Sequence, residues 1–210
     1  MLSKYGRPFF SAVVNWAAER LHAAGFTANG ATYTGFILTV ISAVVLASGN
    51  FRLGGFMLWA AALFDMLDGA LARLAGQSST FGAFLDSTLD RYSESVTFLA
   101  LAFYYSRSAS TRVELVLIFV ILVGSMMVSY TKARAEGLKI EVKNGWLQRP
   151  ERMVLLITGL ITGWLLPVLW ILAIFTNISA LQRIYEVYWR TNGVAGKQFV
   201  KPKDKSPVQG

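Results

Sequence analysis

Residues 54–73 read GGFMLWAAALFDMLDGALAR. The apolar run from Phe56 to Phe64 continues through Asp65 and Asp68 without a turn signal. A bilayer-crossing helix needs about 20 predominantly apolar residues, and this stretch meets that length. Carboxylates inside such a span are costly and mark function by default. The stretch therefore predicts a membrane helix that carries chemistry. The whole chain agrees: 54% of its 210 residues are hydrophobic and 15% charged, against about 25% charged in ordinary soluble proteins. That balance excludes disorder, collagen, coiled coil and a highly charged nucleic-acid arm. It points to an all-α, polytopic integral membrane protein.

Working outward, hydropathy and breakers predict six transmembrane helices, near 31–49, 54–76, 81–106, 112–137, 151–166 and 168–190. Gly49-Asn50, Gly76-Gln77-Ser78-Ser79, the polar turn Arg107 to Thr111, the loop Gly137 to Gln148 with its Asn144-Gly145 turn, and Trp164 to Pro167 separate them. Before the first span, Phe10, Val13, Ala17 and Leu21 recur at helical spacing beside Lys4, Arg7 and Arg20. This predicts an N-terminal amphipathic helix, within residues 1–25, on the membrane surface. Residues 1–190 are read as one transmembrane domain, and 191–210, with four lysines, as a polar, mobile cytoplasmic tail.

The formal net charge is +8. In a membrane chain it is explained by topology and anionic lipid rather than by nucleic acid. With six spans, all of the 20 basic residues except Arg52, Arg107 and Arg112 fall on the side that holds both termini. The positive-inside rule makes that side cytoplasmic, and a plasma-membrane location is expected. Cysteine is absent and His22 is the only histidine, so any metal here must sit on oxygen ligands.

Four aspartates supply them. Asp65, Asp68, Gly69, Ala72 and Arg73 share one helix face; Gly82, Asp86 and Asp90 share another, one span later. The short connection makes the two helices antiparallel neighbours with their stripes facing near the cytoplasmic ends. Four carboxylates repel, and Arg73 cannot neutralise them all. An all-oxygen donor set suits Mg²⁺ or Mn²⁺, and paired metals on carboxylates serve phosphoryl chemistry. Glu94 extends the stripe by one more turn.

The sequence Asp65-x2-Asp68-Gly69-x2-Ala72-Arg73-x8-Gly82-x3-Asp86-x3-Asp90 resembles the signature of the CDP-alcohol phosphotransferases. The resemblance implies a homodimeric membrane enzyme that transfers a phosphoalcohol from a CDP-alcohol to a hydroxyl and releases CMP. It implies two metal ions per active site on Asp65, Asp68, Asp86 and Asp90, with Asp90 also the general base. Gly69, Ala72, Arg73 and Gly82 are then expected at the CDP-lipid. Asn29 is expected at the cytidine, although Ala28-Asn29 stands where many relatives carry Pro-Asn or Pro-Asp.

The acceptor is read from basic residues elsewhere. Ser129 and Lys132 lie near the end of the fourth span, Arg149 and Arg152 at the start of the fifth, and Arg183 within the sixth. Together they form a candidate phosphate pocket. The segments Ser129 to Glu136, Gln148 to Arg152 and Leu181 to Arg183 resemble the phosphatidylinositol-phosphate synthase branch of that family. This implies CDP-diacylglycerol as donor and an inositol phosphate as acceptor. Glycerol 3-phosphate is the alternative acceptor. A prenyltransferase would carry its acidic motifs on distant helices, and a transporter would show internal repeats; neither feature is present.

Overall fold

The computed structural model describes residues 6–74, 79–142 and 145–192, with side chains from residue 14 onward. Among these residues the structure is all-helical. The helices are α1 (Gly6–Ala23), α2 (Ala28–Ala47), α3 (Phe51–Leu74), α4 (Thr80–Tyr105), α5 (Arg112–Gly137), α6 (Arg149–Thr162) and α7 (Leu165–Asn192), with one 3₁₀ turn, Ala109–Thr111, before α5. Gly76, Gln77, Ser78 and Asn144 of the expected turns, Lys4, the side chains of Arg7, Phe10 and Val13, and the tail beyond Asn192 lie outside the described residues.

Local chemistry starts and stops these helices. The Thr27 hydroxyl caps α2 by accepting from the Gly30 amide at 3.1 Å, and Ser79 caps α4 by accepting from the Gly82 amide at 2.9 Å. Pro150 occupies the first turn of α6, where its missing N–H costs nothing. Gly163, at φ 82°, closes α6 in the left-handed conformation that glycine tolerates. The break therefore falls one residue before the expected Trp164–Pro167 return, and Pro167 is already helical in α7.

Among the described residues, four helical segments are long and apolar enough to cross a bilayer: α2, α3, the 3₁₀–α5 unit and α7. The chain is a multi-pass membrane protein. Two of the six expected spans fall short of that criterion for physical reasons. Helix α4 carries Asp86, Asp90, Arg91 and Glu94 within its first 15 of 26 residues. Helix α6 has 14 residues, about 21 Å at 1.5 Å per residue, against a hydrocarbon thickness of about 30 Å.

The packing order closes a ring: α2 against α4, α4 against α5, α5 against α7, α7 against α6, α6 against α3, and α3 back against α2. Helix α1 packs on the outside of α3. Helices α3 and α4 are not closely packed along their length; both lean on α2, and their acidic stripes border a cleft rather than a shared seam. Consecutive helices alternate in direction, so polar positions at the start of α2, α4 and α6 meet those at the end of α3, α5 and α7. The other end is the apolar core: Leu46, Leu58, Phe98, Leu101, Ile121, Leu160 and Leu172 are all at most 2% exposed. A smaller cluster of Ala18, Ala31, Ala70 and Leu71 ties α1 to α2 and α3 beside the charged end. The exposed belt of Ile37, Leu53, Phe56, Val116, Phe119 and Ile174 is what lipid contact requires.

Candidate metal centre and acceptor cavity

One carboxylate oxygen each from Asp65, Asp68 and Asp86 lie within 4.8 Å of one another. Two turns of α3 and the first half of α4 deliver them to the cleft. Asp68 is buried, and its Oδ2 accepts a 2.9 Å hydrogen bond from the Thr32 hydroxyl on α2. That bond fixes the carboxylate's rotamer. Three clustered carboxylate oxygens form a hard, anionic donor set that fits a divalent cation of the Mg²⁺ or Mn²⁺ type.

Asp90 stands at the edge of this group, held by a cation from another helix. Arg149 places one Nη1 atom 2.5 Å from Asp90 Oδ1 and 2.6 Å from Asp65 Oδ2. Arg149, grouped with the acceptor residues by sequence position, thus joins the carboxylate centre to the acceptor side. Its Nε is buried without a hydrogen-bond partner.

Two cavities flank the carboxylates. The smaller, about 140 Å³, is bordered by Asn29, Gly69, Ala72 and Gly82 together with Asp68 and Asp86. Four of the five residues expected at the CDP-lipid therefore share one space. The fifth, Arg73, is exposed at the end of α3; its Nη1 lies 3.5 Å from where a Cβ on Gly69 would stand.

The larger cavity, about 920 Å³, opens between α4, α5, α6 and α7. Ser129, Lys132, Arg149, Arg152 and Arg183 all line it, so the structure brings the five expected acceptor residues together. Their present partners differ. Ser129 donates to the Ser125 carbonyl at 3.2 Å, and Lys132 is exposed, 3.7 Å from Glu136. Arg183 donates through Nη1 to the Val128 carbonyl at 2.5 Å. Arg152 is buried and forked onto Glu94, Nε to Oε1 at 2.8 Å and Nη2 to Oε2 at 3.0 Å, while Nη1 reaches the Leu147 carbonyl at 3.2 Å. The segment before α6 is docked on α7, with the Leu147 amide donating to Ser179 Oγ and the Trp146 amide to Gln182 Oε1.

A metal-suited carboxylate cluster between a small cavity and a cation-lined one is now placed beside the signature residues that form it. The family model for CDP-alcohol phosphatidyltransferase matches residues 26–183. The chain belongs to this family. It is an enzyme of the CDP-alcohol phosphotransferase type. Its relatives include phosphatidylinositol phosphate synthase of Mycobacteroides abscessus, 33% identical over 189 residues, 86% of each chain. Another is the protein of the same name from Mycobacterium tuberculosis, 32% identical over 207 residues, 94% of this chain and 95% of that one. Archaetidylinositol phosphate synthase of Methanothermobacter thermautotrophicus is 32% identical over 196 residues, 90% of this chain and 95% of that one. The M. tuberculosis synthase solved with CDP-DAG bound superposes with a TM-score of 0.78 at 32% identity, covering 84% of this chain and 94% of that one. The same enzyme has been solved in complex with manganese and citrate, also at a TM-score of 0.78, over 83% of this chain and 88% of that one.

Three residues of this family member were not singled out by sequence as site residues with these roles. Thr32 orients Asp68, but a threonine in an apolar helix carries no signal of its own. Glu94 extends the acidic stripe, yet its partner Arg152 is 58 positions away. Arg91 lines the larger cavity; its signal was a second charge directly after Asp90 in a span.

Proposed function

We propose that this enzyme transfers the phosphatidyl group of CDP-diacylglycerol to a hydroxyl of an inositol phosphate, giving phosphatidylinositol phosphate and CMP. The observation that carries the reading is the adjacency of the Asp65–Asp68–Asp86 oxygen cluster to a cavity lined by Lys132, Arg149, Arg152 and Arg183. A carboxylate centre alone accommodates any CDP-alcohol reaction. A neighbouring cavity lined by five cations, these four and Arg91, selects an acceptor that carries its own phosphate. The names of the relatives agree with this acceptor.

In this reading Asp65, Asp68, Asp86 and Asp90 hold two Mg²⁺ or Mn²⁺ ions. Such metals would supply charge neutralisation at the diphosphate and at the departing CMP. Asn29, Gly69, Ala72, Arg73 and Gly82 bind the CDP moiety; the glycines and Ala72 let it approach the backbone. The cleft between α3 and α6, lined by Trp59, Ala62, Met66 and Met153, reaches Asp65 and Arg149 from the lipid side and suits acyl chains. Ser129, Lys132, Arg152, Arg183 and Arg149 hold the acceptor phosphate. Asp90 takes the acceptor hydroxyl proton. The oxygen then bonds to the lipid-side phosphorus, and the bond from that phosphorus to the CMP oxygen breaks. For Asp90 to serve as base, Arg149 must release it and turn toward the acceptor cavity that it already lines.

The same reading makes α4 and α6 the remaining two of six membrane spans, with Leu99, Phe103 and Val154 exposed on their outer faces, and α1 an interfacial helix. Exposed Trp16 with Arg20 stacked 5.3 Å over its ring suits that boundary. Residues 1–190 are the catalytic domain and 191–210 a tail. Both termini and the site face the cytoplasm at the plasma membrane, and the enzyme works as a homodimer.

The test is CMP release by purified protein in detergent with CDP-diacylglycerol and Mg²⁺. Inositol 1-phosphate, free inositol and glycerol 3-phosphate are offered in parallel. Release with inositol 1-phosphate alone is expected. Release with glycerol 3-phosphate instead would keep the carboxylate chemistry and overturn the acceptor.

A further inference from the structure

Arg91 directly follows Asp90 on α4. Successive helical side chains diverge by about 100°, so while Asp90 meets Asp65 and Arg149, Arg91 projects into the 920 Å³ cavity beside Ser129, Lys132, Arg152 and Arg183. Its Nη1 is buried and has no hydrogen-bond partner, and Arg91 forms no ion pair among the described residues. The cations around it are engaged. Arg152 has its Nε and both terminal nitrogens on Glu94 and the Leu147 carbonyl. Arg149 is on Asp65 and Asp90, and Lys132 is near Glu136. At this point on α4, Asp90 and Glu94 thus satisfy Arg149 and Arg152, and the third guanidinium, Arg91, has no anion of its own. A buried guanidinium N–H without an acceptor is costly. A cation so placed, in a cavity, one residue from the acidic centre, calls for an anionic ligand.

We propose that Arg91 is a substrate-binding residue that takes a phosphate oxygen of the acceptor and sets the distance between that phosphate and Asp90. This rests on the acceptor reading above and deepens it. Because Arg91 and Asp90 are consecutive on one rigid helix, holding the phosphate at Arg91 delivers a hydroxyl of the same molecule to Asp90 at a fixed span. An acceptor without a phosphate would leave the Arg91 N–H unpaired and be rejected on that account.

The experiment compares wild type, Arg91→Lys and Arg91→Gln in the CMP-release assay. Inositol 1-phosphate and CDP-diacylglycerol are varied separately, and inorganic phosphate is added as a competitor. Arg91→Gln is expected to raise the acceptor KM at least about tenfold, the scale of a lost charge-assisted hydrogen bond, while the CDP-diacylglycerol KM stays within about twofold. Inhibition by inorganic phosphate should weaken in parallel. Arg91→Lys keeps the charge but not the fork and should recover only part of the loss. If Arg91→Gln does not purify as folded protein, Arg91→Lys against wild type decides by the same two readouts. An unchanged acceptor KM with unchanged phosphate inhibition overturns the proposal. So does an equal fall in both substrates' kinetics, which a structural role would give. If wild type ignores inositol 1-phosphate and uses glycerol 3-phosphate, the acceptor reading alone fails. The Arg91 comparison then runs on glycerol 3-phosphate with the same expected rise and the same refutation.

Discussion

Replacing Glu94 by Leu strands the Arg152 guanidinium inside the helix ring. Both side chains are nearly inaccessible, at 4% and 3% exposure, and they share two hydrogen bonds of 2.8 and 3.0 Å. Charge-assisted bonds of this kind contribute roughly 1.5–3 kcal/mol each, and the remaining Leu147 contact, at 3.2 Å, does not neutralise the charge. Breaking a buried pair from one side costs about 3–5 kcal/mol. At about 2–4 °C per kcal/mol for a chain of this size, the melting midpoint should fall by about 6–20 °C. Arg152→Met should cost a similar amount by stranding Glu94. The double variant Glu94→Leu with Arg152→Met leaves no buried charge and should recover most of the stability, because well-packed apolar replacements of buried pairs are often neutral. Tryptophan fluorescence of purified protein during a thermal ramp in detergent measures all four forms. A single variant that loses less than about 1 kcal/mol, or a double variant as unstable as the sum of the singles, would refute the claim that these two buried charges stabilise each other. The double variant should still fail in acceptor binding, which separates the structural duty of Arg152 from its place in the cavity.

Arg149→Ala removes the cation that lies between Asp65 and Asp90. Mn²⁺ titrated without substrates and followed by electron paramagnetic resonance should then bind at least about tenfold more tightly, since a neighbouring positive charge disfavours the ion by several kcal/mol; an unchanged affinity would show that Arg149 does not compete for that position. Asp90→Asn should abolish CMP release while CDP-diacylglycerol binding, measured directly, stays within about threefold of wild type; near-normal turnover would remove Asp90 as the base. Gly54→Ala should lower the melting midpoint. A Cβ there would stand 2.5 and 2.6 Å from Leu46 Cδ2 and Cγ, and Leu46 is fully buried; overpacking of this kind costs about 1–3 kcal/mol.

Much of this molecule is local in origin and was legible in sequence. Apolar runs of bilayer length name α2, α3, α5 and α7. The breaks at Gly49-Asn50 and before α4 were also read from local residues, whereas the caps at Thr27 and Ser79 and the stop at Gly163, one residue before the expected Trp164–Pro167 return, came from the structure. The spacing of Asp65 and Asp68, and of Gly82, Asp86 and Asp90, places each set on one helical face, because 3.6 residues make a turn whatever surrounds the helix. Asn29, Gly69, Ala72 and Gly82 share a cavity because each lies on the end of α2, α3 or α4 that the alternating helix directions bring to one side.

The partners of the charges were decided by the tertiary structure alone. Arg149 reaches Asp65 across 84 positions, Arg152 reaches Glu94 across 58, and Thr32 reaches Asp68 across 36. Periodicity specifies which way a side chain leaves its own helix, not which helix stands opposite. That depends on the order in which the helices close into a ring. In that order α6 sits beside α3, and α4 leans on α2, so that Arg149 enters the carboxylate cleft. The same closure gives Glu94 to Arg152 and Asp90 to Arg149, and leaves Arg91 facing the cavity without an anion.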